Sequence, residues 1–318
     1  MDLFLSIALY SIVPIFILVM LGYALDKKFS FDIFTLTKIN FYVFVPAFSF
    51  VNIYSTEITS ELARVILLII VMLLANYALA AFFVRILKLP GKTGRAFENS
   101  MMFYNSGNIG VSLITLIFSN APFIENGTAP YLQTAVSIQI MILLVQNVTT
   151  NTVGFINSGG EGMTLKSGLI RVLKMPPLYA GVFGVLFKFF PFDIAVTPVW
   201  PALDFIRNGM VSFALFTLGV QMAKSKIKLT AVMPYVASFF RLIGGPALAF
   251  ALIKLFGFTG VFAQTIFIAS STPAAVNTAL LSVECKGDVD FAAQTVAVST
   301  LFSAVTMTGA VYLSYILF

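Results

Sequence analysis

Two short polar stretches interrupt an otherwise apolar chain: Asn105-Ser106-Gly107-Asn108-Ile109-Gly110 and Ser270-Ser271-Thr272-Pro273-Ala274-Ala275-Val276-Asn277. Both bring together side chains that bind anions without carrying charge. Asn105, Asn108 and Asn277 can donate amide hydrogens to a carboxylate, while Ser106, Ser270, Ser271 and Thr272 can bridge water or freed backbone carbonyls. Pro273 has no N–H and clashes with the preceding turn, so a helix breaks here. Each break begins a second half-helix, expected near Ile109 and Ala274, whose unpaired N–H groups and positive dipole end favour an anion. The competing reading is that these side chains only repair local defects in the two helices.

Three further residues sit deep in apolar surroundings. Arg241 lies eleven residues into the segment starting near residue 230, about 16 Å deep at 1.5 Å per residue. A charge there costs at least ~2.5 kcal/mol and is expected to face a cavity, a partner or a substrate, unless it snorkels to the interface. Gln139 and Gln146 are seven residues apart and share a helical face, either lining a pocket or bonding between helices. The candidate substrate-binding set is therefore Asn105, Ser106, Asn108, Gly110, Ser271, Thr272, Pro273, Asn277, Gln139, Gln146 and Arg241. Asp204 and Arg207, three apart, are expected to form a local interfacial pair.

The elements that must hold these residues follow from composition. With 59% hydrophobic and 10% charged residues and a mean hydropathy of +0.98, the chain is an all-α integral membrane protein. It has no histidine and one cysteine, Cys285, which excludes imidazole chemistry and an intramolecular disulfide. No cofactor or metal is expected. Ten apolar spans are expected, over approximately 3–25, 35–54, 62–87, 97–119, 130–155, 167–190, 199–222, 230–256, 260–284 and 290–317, each near the roughly 20 residues that cross a bilayer. The first starts with Asp2 rather than a basic region and ends in Asp26-Lys27-Lys28, so it reads as a retained helix and not a signal peptide.

Alternating the connections between two sides gives fourteen Lys and Arg residues on one side and three on the other. Positive residues are retained in the cytoplasm, so both termini are expected outside a plasma or inner membrane. The net charge of +6 is explained by this asymmetry, with no nucleic-acid partner required.

Ten spans divide into two sets of five: residues 1–156 and 167–318, joined by a short linker over 157–166. The halves start near Leu3 and Ser167, about 164 residues apart, and that offset sets Asn108 against Thr272. The two polar breaks thus fall in the fourth helix of each half. Because five is odd, the second half enters the membrane in the opposite sense, as an inverted repeat.

The run Ser271-Thr272-Pro273-Ala274-Ala275-Val276-Asn277, with Gly287-Asp288, Ala292-Ala293 and Ser299-Thr300-Leu301-Phe302-Ser303, resembles the C-terminal signature of the auxin efflux carrier family. Val13-Pro14, Gly22-Tyr23 and Val45-Pro46-Ala47 are similar to that family's start. The resemblance implies ten transmembrane helices in two inverted five-helix repeats, as in the bile acid:sodium symporter group, with broken fourth and ninth helices crossing mid-membrane. It also implies an elevator-like movement of helices 1, 2, 6 and 7 against the remaining bundle. The short linker departs from the plant auxin exporters and points to a bacterial-type member, carrying dicarboxylates such as malate or malonate.

The expected function is a secondary transporter of small organic anions working by alternating access. The alternatives are an auxin-like or other monocarboxylate exporter and a membrane receptor that binds an anion without moving it. Intramembrane enzyme chemistry finds no His-Glu-x-x-His motif and no paired aspartates. No carboxylate lies deep in a span apart from Asp204 and the interfacial Glu98 and Glu284, so facilitated diffusion ranks ahead of proton and sodium coupling. The partners expected are the anion, the lipid bilayer and, in a homodimer, a second copy.

Overall fold

The computed structural model describes residues 3–57, 59–159, 164–225 and 231–318. Asp2, Gly160-Glu161-Gly162 of the expected linker, and Lys226 and Lys228 of the basic side lie outside the described residues. Among the described residues the protein is entirely helical, with two isolated β-bridges and no strand.

Among the described residues, seven helices are long and apolar enough to cross a membrane. They are α1 (Leu3–Phe29), α2 (Ile33–Ser55), α3 (Ser60–Ile86), α6 (Leu132–Asn157), α9 (Val199–Lys224), α10 (Val232–Phe256) and α13 (Val289–Leu317). The pair α7 (Leu165–Val172) and α8 (Pro176–Phe189) passes the same test as one span bent by 60°. The sequence suggested a continuous helix there, but Pro176 and Pro177 remove two donors and start a new helix instead. Among the described residues four shorter α-helices remain, α4 (Gly91–Met102), α5 (Ser106–Phe118), α11 (Gly260–Ser270) and α12 (Val276–Glu284), besides a 3-10 turn at Ile194–Val196.

Proline also shapes helices that stay continuous. Pro14, Pro46 and Pro246 each stand just after a π-helical turn, at Ala8–Ile12, Asn40–Phe44 and Phe240–Gly244. A proline cannot donate to the carbonyl four residues back, and widening the preceding turn relieves the mismatch. One consequence is positional: the widened turns carry Asn40 and Arg241, both buried.

Packing sorts the helices into two groups. The α1–α9 contact is the tightest, because Gly22 and Gly219 let the backbones meet: a Cβ on Gly219 would lie 2.0 Å from the Val19 carbonyl oxygen. Their ends are joined by an Asp26–Lys224 ion pair of 3.0 Å and by Lys27 donating to the Ala223 carbonyl at 2.8 Å. Helix α2 packs on α9 of this pair, and α8 packs in turn on α2, with Gly184 against Ile53. On the other side α3 packs on α4, α10 on α13, and α6 on α3 and α11.

The short helices meet where they stop. Asn105 N–H donates to Pro273 O at 2.8 Å, and Ala275 N–H donates to Phe103 O at 2.9 Å, an antiparallel bridge centred on Tyr104 and Ala274. The offset read from the span starts sets Ala274 against Gly110; the observed partner, Tyr104, lies six residues earlier. The half-helices likewise start at Ser106 and Val276 rather than at Ile109 and Ala274.

Candidate functional site

The bridge closes one wall of a cavity of about 90 Å³. Five parts of the chain line it: α2 with Thr37, Asn40, Phe41 and Val45; the first break with Tyr104 to Asn108; α6 with Leu143, Gln146, Asn147 and Thr150; α9 with Thr217 and Gln221; and the second break with Ala275 to Asn277. None of these lining residues carries a charge. The cavity lies toward the lysine-bearing ends of α2 and α9, near Lys38 and Lys224.

The polar ends facing this space include donors and acceptors, the unpartnered acceptors being Asn40 Oδ1, Gln146 Oε1 and Gln221 Oε1. Asn105 uses its oxygen to cap the new helix, accepting from Asn108 N–H at 3.2 Å, and its buried NH₂ has no protein partner. Asn108 uses its oxygen to accept from Asn40 Nδ2 at 3.1 Å, so its NH₂ is what remains for a ligand. Thr217 Oγ1 and Gln221 Oε1, contributed by α9, are also buried without a protein partner. Helices α5 and α12 both start at the cavity wall, bringing two positive dipole ends to it. An uncharged polar pocket between two helix N-termini, with the NH₂ groups of Asn105 and Asn108 beside them, is suited to a small carboxylate.

Of the sequence-predicted residues, Asn105, Ser106, Asn108, Asn277 and Gln146 line the cavity. The others are placed behind it. Gln139 donates its Nε2 to Ser106 O at 2.7 Å, and Gly110 leaves the room for this, since a Cβ there would be 2.5 Å from that nitrogen. The hydroxyls of Ser271 and Thr272 return to the Ile268 and Ala269 carbonyls at 2.7 Å, the helix-repair role, and Pro273 contributes its carbonyl to the bridge. Arg241, 0% exposed, donates to Met101 O at 2.8 Å and to Ser270 O, with its guanidinium 5.1 Å from the centre of the Tyr104 ring. Asp204 and Arg207 form an ion pair of 2.7 Å on α9, away from the cavity lining.

Sequence reasoning missed Asn40, Asn147, Thr150, Thr217 and Gln221. A signal was present in Thr217 and Gln221, polar residues one helical turn apart in an apolar span.

A second polar cavity, about 330 Å³, lies at the opposite ends of α2 and α6, between Thr56, Glu57, Glu61, Gln133 and Ser137. Thr56 is its hub: its hydroxyl donates to Asn52 O at 2.7 Å, accepts from Gln133 Nε2 at 2.9 Å and touches the Ser137 hydroxyl, while its carbonyl accepts from Lys188 Nζ.

Comparison with known proteins assigns the family. A family model described as membrane transport protein matches residues 7–167 and 162–311. The chain belongs to this membrane transport protein family, whose members resemble auxin efflux carriers. Within it, an uncharacterized transporter of Methanothermobacter thermautotrophicus is 25% identical over 311 residues, 93% of this chain and 95% of that protein. An uncharacterized transporter of Methanocaldococcus jannaschii is 29% identical over 140 residues, 43% of this chain and 46% of the relative. A Rhizobium meliloti protein named "Putative malonate transporter" is 27% identical over 149 residues, 46% of each chain. Membership in a transport family, with seven apolar helices, makes the protein a multi-pass membrane transporter and not an enzyme.

Proposed function

We propose that the protein is a secondary carrier of small organic anions, most favourably short dicarboxylates of the malonate or malate class, working by alternating access. The observation that carries this reading is the pair of half-helix N-termini facing one uncharged cavity, with the NH₂ of Asn105 unpartnered beside them. Each N-terminus contributes roughly half a positive charge, so a short dianion can set one carboxylate against each. The name of the Rhizobium meliloti relative is consistent with that substrate class.

In this reading the ten segments form two inverted five-helix repeats in the plasma or inner membrane with both termini outside, α4–α5 and α11–α12 being broken helices that cross at mid-depth. Alternating access draws support from the second polar cavity, since α2 and α6 line both: one pair of helices separates an inner pocket from an outer one. Helices α1, α2, α7–α8 and α9 would move as a body against the rest.

The test is uptake of radiolabelled malonate into proteoliposomes, together with a thermal-shift panel of mono- and dicarboxylates on the purified protein. A ligand bound only by the native state raises its melting temperature. Saturable uptake and a shift with dicarboxylates, absent for indole acids and bile acids, supports the proposal. Binding without flux would make the protein a receptor, and a shift with indole acids alone would move the substrate to the auxin-like monocarboxylates.

A further inference from the structure

Breaking two helices at one place frees backbone carbonyls as well as amides. In a continuous α4–α5 helix, Met101 O would accept from Asn105 N–H; that amide is instead given to Pro273 O across the bridge. In a continuous α11–α12 helix, Ser270 O would accept from Ala274 N–H, which is instead given to the Ser299 hydroxyl at 3.2 Å. Two carbonyls, each at the negative end of a half-helix, are thereby left inside the protein. In transporters with unwound helices, such C-terminal ends are where a dissolved cation binds.

Here Arg241 takes both. Its Nη1 donates to Met101 O and its Nη2 to Ser270 O, so one planar guanidinium spans the ends of α4 and α11. The approach is built into the helix that carries it. Arg241 rides the widened turn before Pro246, and Gly245 gives it room, since a Cβ there would lie 2.3 Å from Nη2. The guanidinium also stands over the face of Tyr104, whose other surroundings include the cavity. It is thus one aromatic residue away from the anion pocket and cannot be reached by solvent.

We propose that Arg241 is a tethered cation for the carrier: it neutralises the two half-helix C-termini from behind the pocket, so that anion binding and transport require no dissolved sodium, potassium or other cation. The part concerning transport rests on the carrier reading above; the part concerning the helix ends does not.

The two parts are separable by experiment. First, the melting temperatures of purified wild-type protein and of Arg241→Ala are compared in choline, sodium and methylguanidinium chloride at equal millimolar concentration. The proposal expects a wild type indifferent to the cation, and a destabilised variant that methylguanidinium raises selectively by refilling the vacated position. A wild type that sodium stabilises over choline, or a folded Arg241→Ala variant as stable as wild type in choline, overturns it. Should Arg241→Ala not fold, Arg241→Lys replaces it: a lysine point charge is expected to hold one carbonyl and to show a smaller methylguanidinium response. A lysine variant with full wild-type stability counts against the two-carbonyl clamp. Second, malonate flux into proteoliposomes is measured with choline, potassium or sodium as the sole cation. Flux equal within about twofold supports cation independence, and flux that needs sodium refutes it even with the melting behaviour as expected. Absence of malonate flux in every medium would instead sink the carrier reading, leaving the melting comparison to judge the clamp.

Discussion

The amide of Asn105 donates to the carbonyl of Pro273 at 2.8 Å, across 168 positions of sequence, and so fixes the break in one helix to the break in another. That single bond explains why neither interruption is a local defect. Each supplies a partner for backbone groups the other has freed, and the two half-helices that follow start side by side at the cavity.

Replacing Asn277 by Ala tests the pocket with the least disturbance to the fold, because this side chain is exposed to the cavity and supports no helix packing. Loss of one hydrogen bond to a charged ligand costs about 1.5–3 kcal/mol, or roughly 10- to 100-fold in affinity. Malonate-induced thermal shift and uptake are expected to fall accordingly, with the ligand-free melting temperature unchanged. Asn108→Ala is expected to match this loss and also to release Asn40.

The cluster around Thr56, at the end of α2 away from the first cavity, predicts a closed end in this state. In a Cys285→Ser background, Thr56→Cys with Ser137→Cys places two thiols where the hydroxyls now touch. Oxidation is expected to cross-link α2 to α6 and stop uptake, and a reductant is expected to restore it. Uptake that continues in the fully cross-linked protein would show that these helices do not separate during transport.

The close approach of α1 and α9 predicts a steric limit. Gly219→Ala puts a methyl group 2.0 Å from the Val19 carbonyl oxygen, forcing the helices apart. Overpacking of this kind costs typically about 1–3 kcal/mol, so the melting temperature in detergent is expected to fall by several degrees. Gly127→Ala, with open space around it but φ of +76°, separates backbone strain from crowding.

Asp193 predicts an acid limb to stability. In the loop between α8 and α9 it accepts from the Ala195 amide and from the Tyr54 hydroxyl, each at 2.8 Å, which hold its carboxyl below the ordinary value. A group depressed in the folded state stabilises above its unfolded pKa and loses that contribution as pH falls through the folded one. Melting temperature is therefore expected to decline as pH drops below about 4, and Asp193→Asn is expected to flatten part of that decline.

Much of the architecture was legible from residue types alone. Apolar spans, the proline and glycine breaks, and the resemblance carried by Ser271 to Ser303 pointed to a membrane carrier, because the bilayer leaves a chain few ways to satisfy its backbone. Asn105, Asn108 and Asn277, which line the cavity, stood out because amides in an apolar span are costly and conspicuous. Thr217 and Gln221 were overlooked because their weight depends on what faces them, and α9 reaches the cavity only through its packing on α1 and α2.

The sequence by itself thus determined that the chain lies in a membrane and that two of its helices break near Asn105 and Ser270, while the break at Pro176 and the starts of the half-helices came only with the structure. The tertiary structure alone decided what each group does. Arg241 and Asn105 are both polar and both buried, yet one faces the carbonyl ends of α4 and α11 and the other the amide end of α5. Helix polarity makes those ends opposite in charge, and only the fold determines which end a side chain meets.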